Sequence, residues 1–139
     1  MSYSQWFSEH GEKHKVIVDK LKHLSDDEII RYFRFENMVA KEPDFCPLYQ
    51  ENKKCHEIEL LNCYFCACPN FRFNDNGIEI KKEKTVYSVC SIDSKDGTTF
   101  QSKEAIHQNC SSCLVPHQET YIKKYFLRDW LEVMNKVKP

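Results

Sequence analysis

Cysteine is the residue whose spacing in this chain points most directly to chemistry. One Cys-x2-Cys pair, Cys63 and Cys66, lies in the run Asn62–Pro69, and a second pair is formed by Cys110 and Cys113. All eight cysteines fall between positions 46 and 113. Clustered thiolates are typical of a metal site, because each sulfur can bind a soft or borderline cation.

Each Cys-x2-Cys pair can give two sulfurs to one tetrahedral ion, since the intervening turn aims both side chains inward. We therefore predict a four-thiolate site built from the two pairs. Cys68 follows Cys66 by two residues, and alternation in an extended chain would send its side chain toward a different face, which predicts a second site. The candidate ligands for both sites together are Cys46, Cys55, His56, Cys63, Cys66, Cys68, Cys90, Cys110, Cys113 and His117.

These ten candidates compete for at most eight places in two tetrahedral sites. Cys46, Cys55, Cys68 and Cys90 are expected in the second site, with the two histidines as substitutes or completing ligands. We expect zinc, and two ions are the preferred count. An iron–sulfur centre, one [4Fe-4S] cluster, is the alternative, because clusters are also held by four cysteines. The bacterial ferredoxin run Cys-x2-Cys-x2-Cys is absent, and histidines beside the cysteines suit zinc better. Disulfides in an exported chain are a further alternative.

Length and composition indicate one folded domain covering residues 1–139. The chain has 41% hydrophobic, 13% aromatic and 29% charged residues, which is typical of a globular protein. A formal net charge of −1 provides no positive field for a phosphate backbone, so we expect no nucleic-acid partner. No basic leader and no window of about 20 apolar residues stands out. We therefore expect a cytoplasmic protein without membrane contact.

The elements that must position the cysteines form an α+β fold. Residues 1–45 predict two helices, the second starting with the capping box Ser25–Glu28 and stopping at Pro43. Residues 46–117 form a small irregular cysteine-rich region stapled by metal. A short β-hairpin there, marked by Ile78 to Val89, is expected to deliver Cys90 on its second strand. Residues 118–139 show helical spacing of apolar residues and predict one C-terminal helix.

The order of cysteines and histidines, with Asn62 before Cys63, Pro69 after Cys68 and Pro116 before His117, resembles the cysteine-rich small domain family. The resemblance covers roughly residues 46 to 121. The chain has Ser91-Ile92 where the family pattern has Gly-Gly. Members occur in microbial proteins, some fused to or encoded beside cobalamin-pathway enzymes. The resemblance implies metal binding in an accessory role.

Three functions fit these patterns. The first is a zinc-binding accessory or protein-interaction domain with an unidentified protein partner. The second is an iron–sulfur redox protein, and the third is a metal-trafficking or metalloenzyme-maturation factor, since spare thiols can hold a transient ion. No phosphate loop, zinc-protease helix or other catalytic motif appears. His10 and His14 are four residues apart on a predicted helix, and we expect them to be solvated surface residues.

Overall fold

A computed structural model describes residues 2–138, in a mixed α+β fold with five helices and two small sheets. Met1 and Pro139, which the predicted segments include, lie outside this range. The helices are α1 Tyr3–Lys20, α2 Asp26–Tyr32, α3 Phe35–Lys41, α4 Glu119–Tyr125 and α5 Trp130–Val133. The strands are β1 Phe71–Phe73, β2 Glu79–Lys81, β3 Lys84–Val86, β4 Ser88–Cys90, β5 Thr98–Gln101 and β6 Ala105–Asn109. Short 3₁₀ helices cover Pro47–Glu51 and Val115–His117.

Three helices, not the predicted two, precede Pro43. The capping box is confirmed, because the Ser25 hydroxyl accepts from the Glu28 amide and the Glu28 carboxylate accepts from the Ser25 amide, both at 3.2 Å. The helical segment that follows is divided at Arg34. Arg34 adopts extended backbone and forms an isolated antiparallel bridge with Asn62. This interruption lets a segment of the cysteine-rich region lie directly against the helices.

α1 continues through Gly11 because the helix packs closely on α5 at that point. A Cβ atom on Gly11 would lie 3.0 Å from Cζ3 of Trp130, closer than almost any ordinary contact. Trp130 is 2% exposed and lies in the main hydrophobic core. The missing side chain of Gly11 therefore allows the indole ring to approach α1, and the helix is not broken at this residue.

The expectation that His10 and His14 are surface residues was wrong. They are 4% and 0% exposed, respectively, on the buried face of α1. The His14 ring packs against Phe33 and Tyr64, with centroid distances of 4.9 and 4.6 Å, and the His10 ring packs against Phe45 at 4.6 Å. Both imidazoles therefore act as flat, largely apolar groups inside an aromatic core.

The strands form two sheets, one ordered β1-β4 and the other β2-β3-β6-β5. The predicted hairpin is present as β2 and β3, and its turn residues Lys82 and Glu83 both have positive φ, 51° and 66°, as a type I′ turn requires. Its second strand does not carry Cys90, because β3 ends at Val86 and Tyr87 separates it from β4. Cys90 instead ends β4, which pairs with β1 so that Cys90 lies opposite Phe71.

The C-terminal segment forms two short helices instead of one. α4 ends at Tyr125, and α5 begins after Asp129, whose carboxylate accepts from the Leu131 amide at 3.0 Å. Between them, the Leu127 carbonyl accepts a 2.6 Å hydrogen bond from the Tyr64 hydroxyl. The carbonyl is thus used for a tertiary contact, and the cap starts a new helix.

The main core lies among the helices and the first part of the cysteine-rich region. It extends from Phe7 in α1 to Phe73 in β1 and Val137 near the C-terminus. The four-stranded sheet lies outside it and exposes Ile80 and Phe100 by 78% and 63%. Among residues 2–138, no helix has the length and apolar character needed to cross a bilayer.

The buried His14 makes a pH dependence of stability testable. Burial lowers its pKa from 6.5 to about 3, while the ring donates Nε2–H to the Tyr64 carbonyl at 3.0 Å. As pH falls below 6.5, His14 binds a proton in the unfolded state but not in the folded state. The free energy of unfolding therefore falls by up to about 1.4 kcal/mol per pH unit. We expect wild type to lose about 2 kcal/mol more than His14→Gln between pH 6.5 and 4.5.

Urea unfolding of both proteins at the two pH values measures this difference. The other titrating groups are common to the two proteins, so their contribution largely cancels in the comparison. Equal pH dependence would show that His14 is protonated in the folded state as readily as in the unfolded chain.

Candidate metal centres

Both Cys-x2-Cys segments form tight turns closed by a backbone hydrogen bond. The Cys66 amide donates to the Cys63 carbonyl at 3.2 Å, and the Cys113 amide donates to the Cys110 carbonyl at 3.1 Å. All eight cysteines are free thiols. Such turns bring the two side chains of each pair to the same side of the chain.

A first cysteine group consists of Cys46, Cys55, Cys63 and Cys66. Burial raises the pKa of Cys66 well above its usual value, and charge on the other three sulfurs raises it further. Burial likewise raises the pKa of Cys63 to about 12, with Cys55 and Cys46 contributing in the same direction. These effects place the four thiols in one neighbourhood, but among residues 2–138 no three of their sulfurs lie within 4.8 Å of one another.

A second cysteine group consists of Cys68, Cys90, Cys110 and Cys113. These four side chains line one small cavity of about 20 Å³. Burial raises the pKa of Cys68 to about 11, and charge on the other three sulfurs acts in the same direction. A cavity of this size has room for a water molecule or a single ion.

The two groups separate at the backbone between Cys66 and Cys68. Ala67 and Cys68 have φ values of 92° and 65°, a left-handed conformation that non-glycine residues rarely adopt. The chain therefore turns sharply between Cys66 and Cys68. The spacing in the sequence likewise predicts a separate site for Cys68.

The partners of Cys68 differ from the predicted grouping. Cys110 and Cys113 line the same small cavity as Cys68 and Cys90, whereas the prediction from sequence joined them with Cys63 and Cys66. The contact between β4 and β6 explains this arrangement. The Tyr87 amide donates to the Ile106 carbonyl at 2.9 Å, and the Gln108 amide donates to the Ser88 hydroxyl at 2.7 Å.

Three donors converge beside the first group, in a set that we call the Cys55 triad: Cys55, His56 and His117. Their ligand atoms all lie within 4.8 Å of one another. Cys55 Sγ lies 3.0 Å from His56 Nδ1 and 3.7 Å from His117 Nε2. Cys55 is exposed, whereas His117 is 5% exposed.

The hydrogen bonds of the two imidazoles fix which nitrogen of each ring carries a proton. His117 donates Nδ1–H to the Asn62 carbonyl, and His56 donates Nε2–H to the Cys110 carbonyl, both at 2.9 Å. A carbonyl oxygen only accepts, so in the neutral form of each ring the unprotonated nitrogen faces Cys55. Burial lowers the pKa of His117 to about 4, which keeps that ring neutral. A second nitrogen held by a carbonyl is the usual arrangement of a metal-binding histidine.

Asn62 connects this site to the helices. Its side chain is fully buried, donates to the Ile30 carbonyl at 2.7 Å and accepts from the Tyr64 amide at 2.9 Å. Its backbone amide donates to the His117 carbonyl at 3.2 Å. One residue thus holds α2, the segment containing Cys63 and the 3₁₀ helix that ends at His117.

An ion pair supports the same junction. The Arg34 guanidinium contacts both carboxylate oxygens of Glu119, at 2.7 and 3.0 Å, and Asn62 donates to Glu119 at 3.1 Å. A bidentate contact of this kind fixes orientation as well as distance. It attaches the start of α4, two residues after His117, to the start of α3.

Sequence reasoning did not identify Asn62 as the residue that joins the helices to the site, or Tyr49 as a residue beside Cys63. The Tyr49 ring lies on the 3₁₀ helix after Cys46, and burial followed by charge on Cys63 raises the pKa of its hydroxyl. Asn62 directly precedes the first Cys-x2-Cys pair, which was a usable signal for a residue that positions a ligand. Nothing in the sequence around Tyr49 indicated that its side chain lies beside Cys63.

Comparisons with known proteins gave no match: no protein-family model, no curated protein and no solved structure matches this chain. The resemblance to the cysteine-rich small domain family therefore depends on the quoted residues alone.

Asn62→Ala tests the junction. The change leaves the Tyr64 amide without its partner inside the protein and removes one hydrogen bond of the Ile30 carbonyl, which still accepts from the Phe33 amide, at an expected cost of about 1–3 kcal/mol in unfolding free energy. Asn76→Ala is the matched control, because Asn76 is exposed in the turn before β2 and should change stability by less than about 0.5 kcal/mol. Chemical denaturation of the three proteins gives the values. Equal stability of both variants would contradict the bridging role of Asn62.

Proposed function

We propose that this chain is a zinc-binding accessory domain in which two zinc ions hold the cysteine-rich region together. One ion is bound by the first cysteine group and the other by the second. The proposal depends chiefly on the small cavity that Cys68, Cys90, Cys110 and Cys113 line together, with the other four thiols as a second set, because four thiolates are a complete ligand set for structural zinc.

The weak apolar packing of the sheet region supports a metal-stapled core. Between Phe73 and the start of α4, the buried hydrophobic side chains are those of Val86, Ile106 and Cys113. None of the three belongs to the main core cluster. Structural zinc contributes about 10–16 kcal/mol of apparent binding free energy in small domains. That is comparable with the whole stability of an ordinary domain, about 5–15 kcal/mol. Zinc in the second group would tie β4 and β6 to the segment that follows the first group.

The exposed apolar surface supports an accessory role with a protein partner. Ile80 and Phe100 lie on the outer strands of the four-stranded sheet and are mostly exposed. Apolar side chains of this kind are common at protein interfaces. The metal would therefore stabilise a domain whose sheet contacts another protein.

An iron–sulfur cluster is the second candidate, and one observation favours it. Within residues 2–138, the Cys55 triad alone brings three thiol, imidazole or carboxylate donors within 4.8 Å. In neither cysteine group do three sulfurs therefore lie within 4.8 Å of one another, whereas every edge of a zinc–thiolate tetrahedron measures about 3.8 Å for Zn–S bonds of about 2.3 Å. The small cavity between these thiols favours one ion over the larger cluster.

Metal analysis of protein purified anaerobically without a metal-binding tag separates the two candidates. After a brief wash with a weak chelator, we expect two zinc ions per chain, no iron, no acid-labile sulfide and no visible absorption, because zinc has a filled d shell. Iron with equivalent sulfide and a brown chromophore would replace the zinc proposal by the iron–sulfur one. Less than one zinc ion per chain without iron would contradict both.

A further inference from the structure

The Cys55 triad faces a large cleft. This cleft has a volume of about 970 Å³, and both imidazoles and the Cys55 thiol lie on its surface. Its other walls include Tyr3, Trp6, Phe71 and Tyr87. Small-molecule sites usually measure about 300–1,000 Å³ and combine apolar walls with a few polar groups.

We propose that the Cys55 triad is a third metal site, and that the metal bound there anchors an organic ligand with an apolar body and an anionic head group in this cleft. Cys55 belongs to both the triad and the first cysteine group. Its thiolate would then bridge the triad metal and the zinc ion of the first group. This bridge depends on the zinc ion proposed above for that group.

The hydrogen-bond pattern of the triad calls for a cation. With both rings neutral, two unprotonated ring nitrogens face one sulfur, because each ring uses its single N–H at the Asn62 or Cys110 carbonyl. A thiol has one proton and can donate to one nitrogen only. A thiolate would leave three electron pairs facing one another without any donor. A metal cation between them accepts all three pairs, as in sites that bind through imidazole and thiolate.

The triad also leaves one coordination position for an outside group. Within residues 2–138, no fourth thiol, imidazole or carboxylate donor lies within 4.8 Å of all three triad atoms. Three protein ligands with an exchangeable fourth position are characteristic of zinc sites that bind water or substrate. The exposure of Cys55 and the position of both imidazoles on the cleft direct that fourth position toward the cleft.

Two other polar groups of the cleft, the Asp75 carboxylate and the Tyr3 hydroxyl, are already paired. The Asp75 carboxylate accepts from the Tyr3 and Ser4 amides at 3.0 and 3.3 Å, at the start of α1. The Tyr3 hydroxyl is bonded to His107 Nδ1 at 2.6 Å. A ligand therefore finds mainly apolar surface in the cleft, including four aromatic rings, and would find a Lewis-acidic group at the triad. This pattern matches an apolar molecule with one anionic oxygen or sulfur head.

Cobalt(II) tests the metal part, because its visible bands report ligand type and coordination number. Cobalt is added to protein that retains its two zinc ions. We expect one further equivalent to bind in wild type and in His23→Gln, whose histidine is exposed outside the cleft. We expect at least about tenfold weaker cobalt binding in His56→Gln, as for loss of one ligand. Two zinc ions in that variant would show that its fold is intact.

Cobalt binding that is equal in all three proteins, or absent from wild type, would overturn the proposal. Loss of the two zinc ions from wild type would instead count against the proposed function. Cobalt bound in a His56-dependent manner would still support the triad in that case.

Two hydroxamic acids test the cleft, since both present the same anionic head group to the metal. We expect 4-phenylbutyrohydroxamic acid to shift the cobalt bands at concentrations at least about tenfold lower than acetohydroxamic acid, because its phenyl group is buried in the cleft. Trp6→Ala should remove about threefold or more of that advantage. Phe100→Ala is the control, because Phe100 is exposed on β5 outside the cleft.

Equal affinity for the two hydroxamic acids would overturn the assignment of the cleft as the ligand site. Unchanged cobalt bands with both compounds would overturn the open coordination position.

Discussion

The buried amide of Asn62 is the constraint on which most of this structure depends. Its side chain and backbone together satisfy polar groups of α2, of the turn before Tyr64 and of His117. A buried carbonyl or amide without a partner costs about 1–3 kcal/mol, so these segments cannot move apart independently. The helical half of the protein thus sets the position of the first cysteine pair and orients an imidazole of the triad.

A second constraint is the left-handed turn at Ala67 and Cys68. It sends two cysteines separated by a single residue into different groups. The first group is held against the aromatic core, whereas the second lies where β4 meets β6. Strain of this kind persists only where surrounding contacts enforce it, and metal coordination on both sides of the turn would provide such contacts. The segment between Cys66 and Cys68 therefore connects the group beside the helical core to the group beside the sheet.

Local signals in the sequence were sufficient for local structure. The capping box at Ser25, both Cys-x2-Cys turns and the β2–β3 hairpin are present as predicted. The grouping of the cysteines was not accessible in this way, because it depends on strand contacts between distant segments and on positive φ values at non-glycine residues. His10 and His14 were misplaced for a related reason: their burial follows from aromatic partners on four other segments. The break before α5 had a signal, since Asp129 is a good N-cap residue, but continuous apolar spacing concealed it.

Zinc counts in two double variants test the division of the thiols most directly, using native mass spectrometry after a chelator wash. Cys110→Ser with Cys113→Ser removes two ligands from the second group alone and should leave one zinc ion per chain. Cys63→Ser with Cys110→Ser removes one ligand from each group, so the account predicts loss of both ions. One zinc ion retained by the crossed variant would contradict the account, because it would place Cys63 and Cys110 in the same centre.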